Sequence, residues 1–237
     1  MNGGIIFNKI ELMKNKINRN VRVKICGNKR VEDALQAISL GADAIGLLVG
    51  REHASHDFIS TLAAQSIARK LPPFCNIVLA TSITDVEEVK GMVNFIGVDT
   101  LQLHGDSTPA DIIQIKKSLP FLKVIKSLHI IDDTCIETGK KFVSVADAIV
   151  LDSFDKATNK IGGTGKIHNW DISRRIVDEY KVPIILAGGL TPENVKEAVR
   201  VVRPYGVDVN SGTKGKDGYK DASRIELFIK RAKGENL

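Results

Sequence analysis

From residue 21 onward, two hydrophobic periods alternate along the chain. Short runs rich in Val, Ile and Leu occupy residues 21–26, 44–49, 76–80, 100–104, 123–127, 148–152, 183–187 and 207–210. Between them lie segments whose apolar residues recur every three or four positions, from 30–40 after the first run to 221–233 after the last. Short β-branched runs bounded by turn residues read as strands, and the longer spacing reads as one apolar face of a helix. Strand and helix in strict alternation predict parallel strands joined by crossover helices. Eight such units in one chain favour a closed barrel over an open doubly wound sheet. The predicted fold is therefore α/β, a single (β/α)8 TIM barrel.

The first 20 residues carry no strand pattern and are rich in Asn and Lys. They are expected to form a short extra helix or a mobile arm, with the catalytic barrel spanning residues 21–237. No low-complexity linker interrupts that span, so no internal domain boundary is predicted.

Within a barrel strand, alternate side chains face the helices and the barrel axis. On the first strand Val21, Val23 and Ile25 then point outward, while Arg22, Lys24 and Cys26 point inward. The same parity on the sixth run turns Ile149 and Leu151 outward and Ala148, Val150 and Asp152 inward. Gln102 and His104 on the fourth run, and Asp208 and Asn210 on the eighth, also face in. Cys26 and Asp152 each end a strand, and the C-terminal ends of the strands form the catalytic face of this fold. A thiol there is a potential base and a carboxyl a potential acid. An isolated cysteine is otherwise a small buried hydrophobe, and an isolated aspartate a helix cap or salt-bridge partner. Lys24, two residues before Cys26, is expected to favour the thiolate. Gln102 and His104 are read as satisfied interior groups, and Trp170 as a packing anchor.

Three glycine turns follow the late strands. They are Gly162-Gly163-Thr164-Gly165-Lys166, Gly188-Gly189 and Ser211-Gly212. Glycine lets backbone amides approach an anion, and loops after the seventh and eighth barrel strands commonly hold phosphate. Gly162, Gly163, Gly188, Gly189, Ser211 and Gly212 are thus the expected phosphate-binding residues.

Composition narrows the partners. The 237 residues approach the roughly 250 typical of a single barrel, with 43% hydrophobic and 26% charged residues, as in ordinary globular proteins. The formal net charge of +6 favours an anionic ligand, but Lys and Arg are dispersed without interleaved aromatics, which argues against nucleic acid. No apolar run reaches the roughly 20 residues of a membrane span, and no secretory leader is evident, so a cytoplasmic location is expected. Three cysteines at irregular spacing, Cys26, Cys75 and Cys135, indicate neither a disulfide framework nor a metal site.

The motifs Val23-Lys24-Ile25-Cys26-Gly27, Leu101-Gln102-Leu103-His104-Gly105, Gly162-Gly163-Thr164-Gly165-Lys166, Leu186-Ala187-Gly188-Gly189-Leu190 and Gly206-Val207-Asp208-Val209-Asn210-Ser211-Gly212 occur in order. Through them the chain resembles the phosphoribosylanthranilate isomerase family of tryptophan biosynthesis, from about Val21 to the C-terminus. The resemblance implies an Amadori rearrangement of an aminoaldose phosphate to an aminoketose phosphate, without metal or other cofactor. It also implies that Asp152 protonates the furanose ring oxygen and that Cys26 removes the C2′ proton. The implied partner is a small phosphorylated aminosugar, and the assembly a monomer or homodimer.

The resemblance breaks after the second strand. There the family carries Ser-x-Arg, whose arginine contacts the anthranilate carboxylate, whereas this loop reads Gly50-Arg51-Glu52-His53-Ala54-Ser55-His56-Asp57-Phe58. His56 or Asp57 falls near the arginine's place, and neither has the two-pronged grip of guanidinium. Arg51, His53 and His56 are the candidate head-group residues. His53 and His56 lack a third metal ligand, so no metal site is assigned. Two alternatives stay open: a paralogous isomerase for another phosphoribosylamine, and a non-catalytic phosphosugar-binding barrel.

Overall fold

The computed structural model describes residues 21–50, 56–155, 160–161 and 168–234. In chain order these form β1 (Arg22–Ile25), α1 (Val31–Ser39), β2 (Ala44–Leu48), α2 (Thr61–Ala68), β3 (Asn76–Thr81), α3 (Val86–Ile96), β4 (Thr100–Leu103) and α4 (Pro109–Ser118). They continue with β5 (Lys123–Ile130), α5 (Thr134–Lys140), β6 (Ala148–Asp155), β7 (Lys160–Ile161), α6 (Trp170–Glu179), β8 (Ile184–Leu186), α7 (Val195–Val202), β9 (Gly206–Val209) and α8 (Ala222–Lys233).

Eight strands pair in parallel in the order β1-β2-β3-β4-β5-β6-β8-β9, and β9 returns to β1, with Lys24 beside Asp208 in register. The sheet therefore closes into the expected (β/α)8 barrel. β7 is a short antiparallel return that places Ile161 opposite Phe154. No helix among the described residues is long and apolar enough to cross a membrane.

The predicted strand parity is met on both faces. Val23, Ile25, Leu101, Leu103, Ile149, Leu151, Val207 and Val209 join the core between sheet and helices. A smaller core of Val78, Ile125, Ala148, Val150, Ile185 and Ala187 fills the barrel itself. Lys24, Gln102, Ser127, Asp152 and Asp208 are buried polar residues contributed by five of the strands.

Helix starts follow from local chemistry. Ser60, Asp85 and Asp221 each accept a backbone N–H from the first turn of the next helix, and Thr108 with Asp111 makes a reciprocal box. Each such cap contributes about 1 kcal/mol.

Two strands run past their predicted ends. β5 and β6 each extend three residues further: the alternation on β5 continues through Leu128 and Ile130, both in the core, and β6 pairs with β5 as far as Ser153 and then with β7 as far as Asp155. β8 starts after Pro183, which has no N–H for the ladder.

Candidate active site

Cys26 follows β1 and is tied to the barrel by its N–H, which donates to Val209 O at 2.8 Å. Its thiol occupies the space left by Gly46 on β2. A Cβ at residue 46 would lie 2.6 Å from Sγ and 3.0 Å from Lys24 Cε. The chain then turns sharply at Gly27, whose φ is +70° and whose missing Cβ makes room for the Asn210 side chain. Asn28 locks this turn by donating from Nδ2 to Ile25 O at 2.8 Å and Gly46 O at 3.2 Å.

Asp152 lies on β6 opposite His129 of β5, and its Oδ1 accepts the Ser153 N–H at 2.8 Å. Burial pushes its carboxyl up to about 7, and the negative charge of Asp208 adds to the rise, while the Ser153 amide and Lys24 oppose it. At neutral pH a large fraction of Asp152 therefore holds a proton.

A buried ion pair lies beside both residues. Lys24 Nζ donates to Asp208 Oδ2 at 2.6 Å and to Gln102 Oε1 at 2.9 Å. Because the Gln102 oxygen accepts, its Nε2 donates to Ser127 Oγ at 3.2 Å and faces His104 Nε2 at 2.9 Å. His104 Nε2 must then be the acceptor. Burial drives the His104 pKa down to about 3, so the ring is neutral and can take that role. Gln102 and His104 thus behave as the satisfied interior groups expected of them.

The thiol differs from expectation. Burial raises the Cys26 pKa, and this outweighs the lowering by Lys24 and by Lys220, with Asp208 adding to the rise. Lys24 does favour the thiolate, but its ammonium is shared with Asp208 and its charge is partly spent there. Asp208 Oδ1 is buried without a hydrogen-bond partner among the described residues.

A second charged cluster borders the Cys26 side of the mouth. Asp57, buried in the loop after β2, accepts Lys214 Nζ at 2.6 Å on Oδ1 and 2.5 Å on Oδ2. Asn210 Nδ2 donates to the same carboxylate at 2.9 Å, and Lys29 Nζ stands 3.9 Å away. Lys220 donates to Asn210 O at 2.9 Å and Oδ1 at 3.1 Å. Burial lowers the Lys220 pKa to about 8. His56 lies exposed on the turn entering this loop, whereas its neighbour Asp57 turns inward. Arg51 and His53 lie outside the described residues.

Among the glycine turns, Gly162 and Gly163 lie outside the described residues. Gly188 and Gly189 have φ of +76° and +67°. A Cβ on Gly188 would meet Ser153 N at 2.4 Å, and one on Gly212 would meet Leu190 O at 2.0 Å. Close backbone packing is therefore a first reason for glycine at both positions. Ser211–Thr213 forms a single 3-10 turn in which Ser211 is exposed and Gly212 and Thr213 are buried.

The site thus unites Cys26 and Asp152 around Lys24 and Asp208. Gly46, Lys214 and Lys220 carry weight that the sequence pattern did not assign to them. Gly46 had a readable signal, an inward glycine within a strand, which often marks a close approach. The loop lysines had none. Cys75 is half-buried, and Cys135 Sγ is engaged by His129 O at 3.1 Å.

Residues 23–231 match the family model described as N-(5'phosphoribosyl)anthranilate (PRA) isomerase. The chain is 52% identical over 215 residues to N-(5'-phosphoribosyl)anthranilate isomerase 2 of Methanosarcina mazei, covering 91% of this chain and 95% of the relative. The phosphoribosyl anthranilate isomerase crystal structure from Thermotoga maritima superposes with a TM-score of 0.81 at 34% identity, covering 90% of this chain and 99% of that one. A further phosphoribosyl anthranilate isomerase, solved with reduced 1-(o-carboxyphenylamino)-1-deoxyribulose 5-phosphate, superposes at 0.77 with 33% identity, again over 90% and 99% of the chains.

Proposed function

The chain belongs to the N-(5'-phosphoribosyl)anthranilate isomerase family, and from that premise we infer that it rearranges N-(5'-phosphoribosyl)anthranilate with Asp152 as general acid and Cys26 as general base. The observation that supports the residue assignment is the buried Lys24–Asp208 pair, which lies close enough to Cys26 and to Asp152 to act electrostatically on both.

The chemistry balances with these two groups. Asp152 delivers its proton to the furanose ring oxygen, and the C1′–O bond breaks with its electrons staying on that oxygen. The nitrogen lone pair forms a C1′=N iminium. Cys26 thiolate then removes the proton from C2′, and the released electron pair forms the C1′=C2′ double bond and neutralises nitrogen. The resulting enolamine gains a proton at C1′ and loses one from the C2′ hydroxyl, giving the aminoketose. Hydrogen is thereby shifted from C2′ to C1′ with no external oxidant.

A carboxyl near 7 can still hold a proton in neutral solution, as a general acid must. The raised thiol pKa makes Cys26 a scarce but strong base, and an iminium at C1′ acidifies the proton it must take. The buried Asp208 Oδ1 offers an acceptor for a substrate N–H or O–H. Backbone amides around Gly188, Gly189, Ser211 and Gly212, with the loop bearing Gly162 and Gly163, form the proposed phosphate cradle. The barrel at 21–237 is proposed as the catalytic domain, with 1–20 as an extension.

The test is loss of phosphoribosylanthranilate fluorescence on mixing with purified protein. Turnover that falls by at least about a hundredfold in Cys26→Ala and in Asp152→Asn is the expected result. Absence of turnover by the wild-type protein would overturn the reading.

A further inference from the structure

We propose that Lys214, on the loop after β9 and held by Asp57, reads the carboxylate on the substrate's aryl ring. The inference rests on the phosphoribosylanthranilate reading and names the residue that gives that substrate its specificity.

The loop after β2 offers a carboxylate where the resemblance called for an arginine. Asp57 is 4% exposed and receives both of its oxygens' short contacts from one ammonium, at 2.6 and 2.5 Å. An ammonium has three N–H donors, so two directed at Asp57 leave one for a ligand oxygen. The pairing fixes a flexible lysine stem at the rim, with the side chain still 21% exposed. Asp57 is thus a positioning residue, and the cation that reads the ligand comes from the loop after β9, the strand on the other side of β1 from β2.

Charge in this corner is unbalanced. Among the described residues, Lys29 and Lys214 share the carboxylate of Asp57, Lys220 lies within reach of Asp57 and of Asp208, and Asp208 is paired with Lys24, a formal excess of two positive charges among these six groups. Hydrogen bonds from Lys214 and Asn210 overcome the rise that burial causes and hold the Asp57 pKa below its usual range, so its charge is already counted. Cations that outnumber the carboxylates around them are costly to desolvate, and an anionic group of the ligand offsets that cost. Asn210 ties the corner to the catalytic face, since it packs against Gly27, the residue after Cys26. The corner lies on the β1 and β2 side of the mouth. Gly188 instead packs against Ser153, beside Asp152. Lys214 caps the Ser211–Thr213 turn on its Asp57 side, so the carboxylate seat adjoins the phosphate cradle, which Gly188 and Gly189 complete on the Asp152 side.

The test compares N-(5'-phosphoribosyl)anthranilate with the carboxylate-free N-(5'-phosphoribosyl)aniline. Wild type, Lys214→Gln and Lys214→Arg are assayed on both substrates. The double variant Asp57→Asn/Lys214→Gln is included because it removes the pair without orphaning a buried charge. In Lys214→Gln and in the double variant, the preference in kcat/KM for the carboxylated substrate is expected to fall about ten- to hundredfold, through KM, with substantial rescue in Lys214→Arg. An unchanged preference overturns the inference. That includes the case in which both substrates suffer equally, as they would if Lys214 served the phosphate or only the fold. Failure of the wild-type protein to convert either substrate overturns the isomerase reading instead, so the two failures are distinct.

Discussion

Lys24 and Asp208 meet at 2.6 Å at the barrel mouth, with side chains only 5% and 7% exposed, and each acts with the same sign on Cys26 and on Asp152. The lysine lowers both pKa values and the aspartate raises both. Replacing Asp208 by Asn removes the raising charge and leaves Lys24 unopposed. Both inflections of the pH profile of kcat/KM are then expected to move to lower pH. Breaking a buried pair also costs about 3–5 kcal/mol, readable by urea denaturation at pH 7. An unmoved profile in a folded Asp208→Asn protein would remove the pair from the account.

The wild-type pH profile has a less obvious sign. The acid titrates near 7, while burial raises the thiol above its ordinary value of about 8.5. Between these two values the pair holds one proton, and the reactive arrangement, Asp152 protonated with Cys26 ionised, is a constant minority of that state. Below about 7 a second proton quenches the thiolate. Accordingly kcat/KM should rise with pH through about 7, level off, and fall only as the thiol itself titrates. A decline beginning at pH 7 would require a base that is already ionised there.

Asp152 exchanges stability for function. Its folded pKa of about 7 exceeds an unfolded value of about 3.9, so its contribution to stability is complete below about pH 4 and lost as pH rises through 7. Asparagine cannot ionise and escapes that loss. At pH 8, Asp152→Asn should therefore be the more stable protein by up to about 4 kcal/mol, an advantage that shrinks toward pH 4.5, while its turnover is the lower. Urea titrations at the two pH values check the crossover.

Gly46→Ala tests the seat of the thiol. Its new Cβ would meet Cys26 Sγ at 2.6 Å and the Cys26 Cα at 3.0 Å, so the strand end must shift. Overpacking of this kind costs about 1–3 kcal/mol, and a displaced base should lower kcat more than it raises KM. Steady-state kinetics and thermal unfolding read the two effects separately.

Much of this was legible in the chain itself. The alternation Val23-Lys24-Ile25 and Ile149-Val150-Leu151-Asp152 states which side chains enter the barrel, because a strand repeats every two residues and the helix-facing set must be apolar. What alternation omits is the partner on a strand or loop distant in the sequence. Lys24 and Asp208 are 184 residues apart, and Asp57 and Lys214 are 157 apart. Their contacts exist only once β9 closes on β1. Burial is equally invisible in a sequence, which is why Lys24 alone suggested an acidic thiol whereas the folded site raises it. The length of β6 is a further case, since it runs to Asp155 only where β7 returns to pair with it, whereas the alternation of Leu128 and Ile130 already carries β5 to Ile130.

The central claim is that Cys26 takes the C2′ proton after Asp152 opens the ring. It is tested most directly with phosphoribosylanthranilate deuterated at C2′, followed by fluorescence in the wild-type protein and in Cys26→Ser and Asp152→Asn at equal pH. A primary isotope effect that grows in Cys26→Ser, together with its decrease in Asp152→Asn as ring opening becomes limiting, is the predicted result. Full turnover by either variant with an unchanged isotope effect would contradict the assignment.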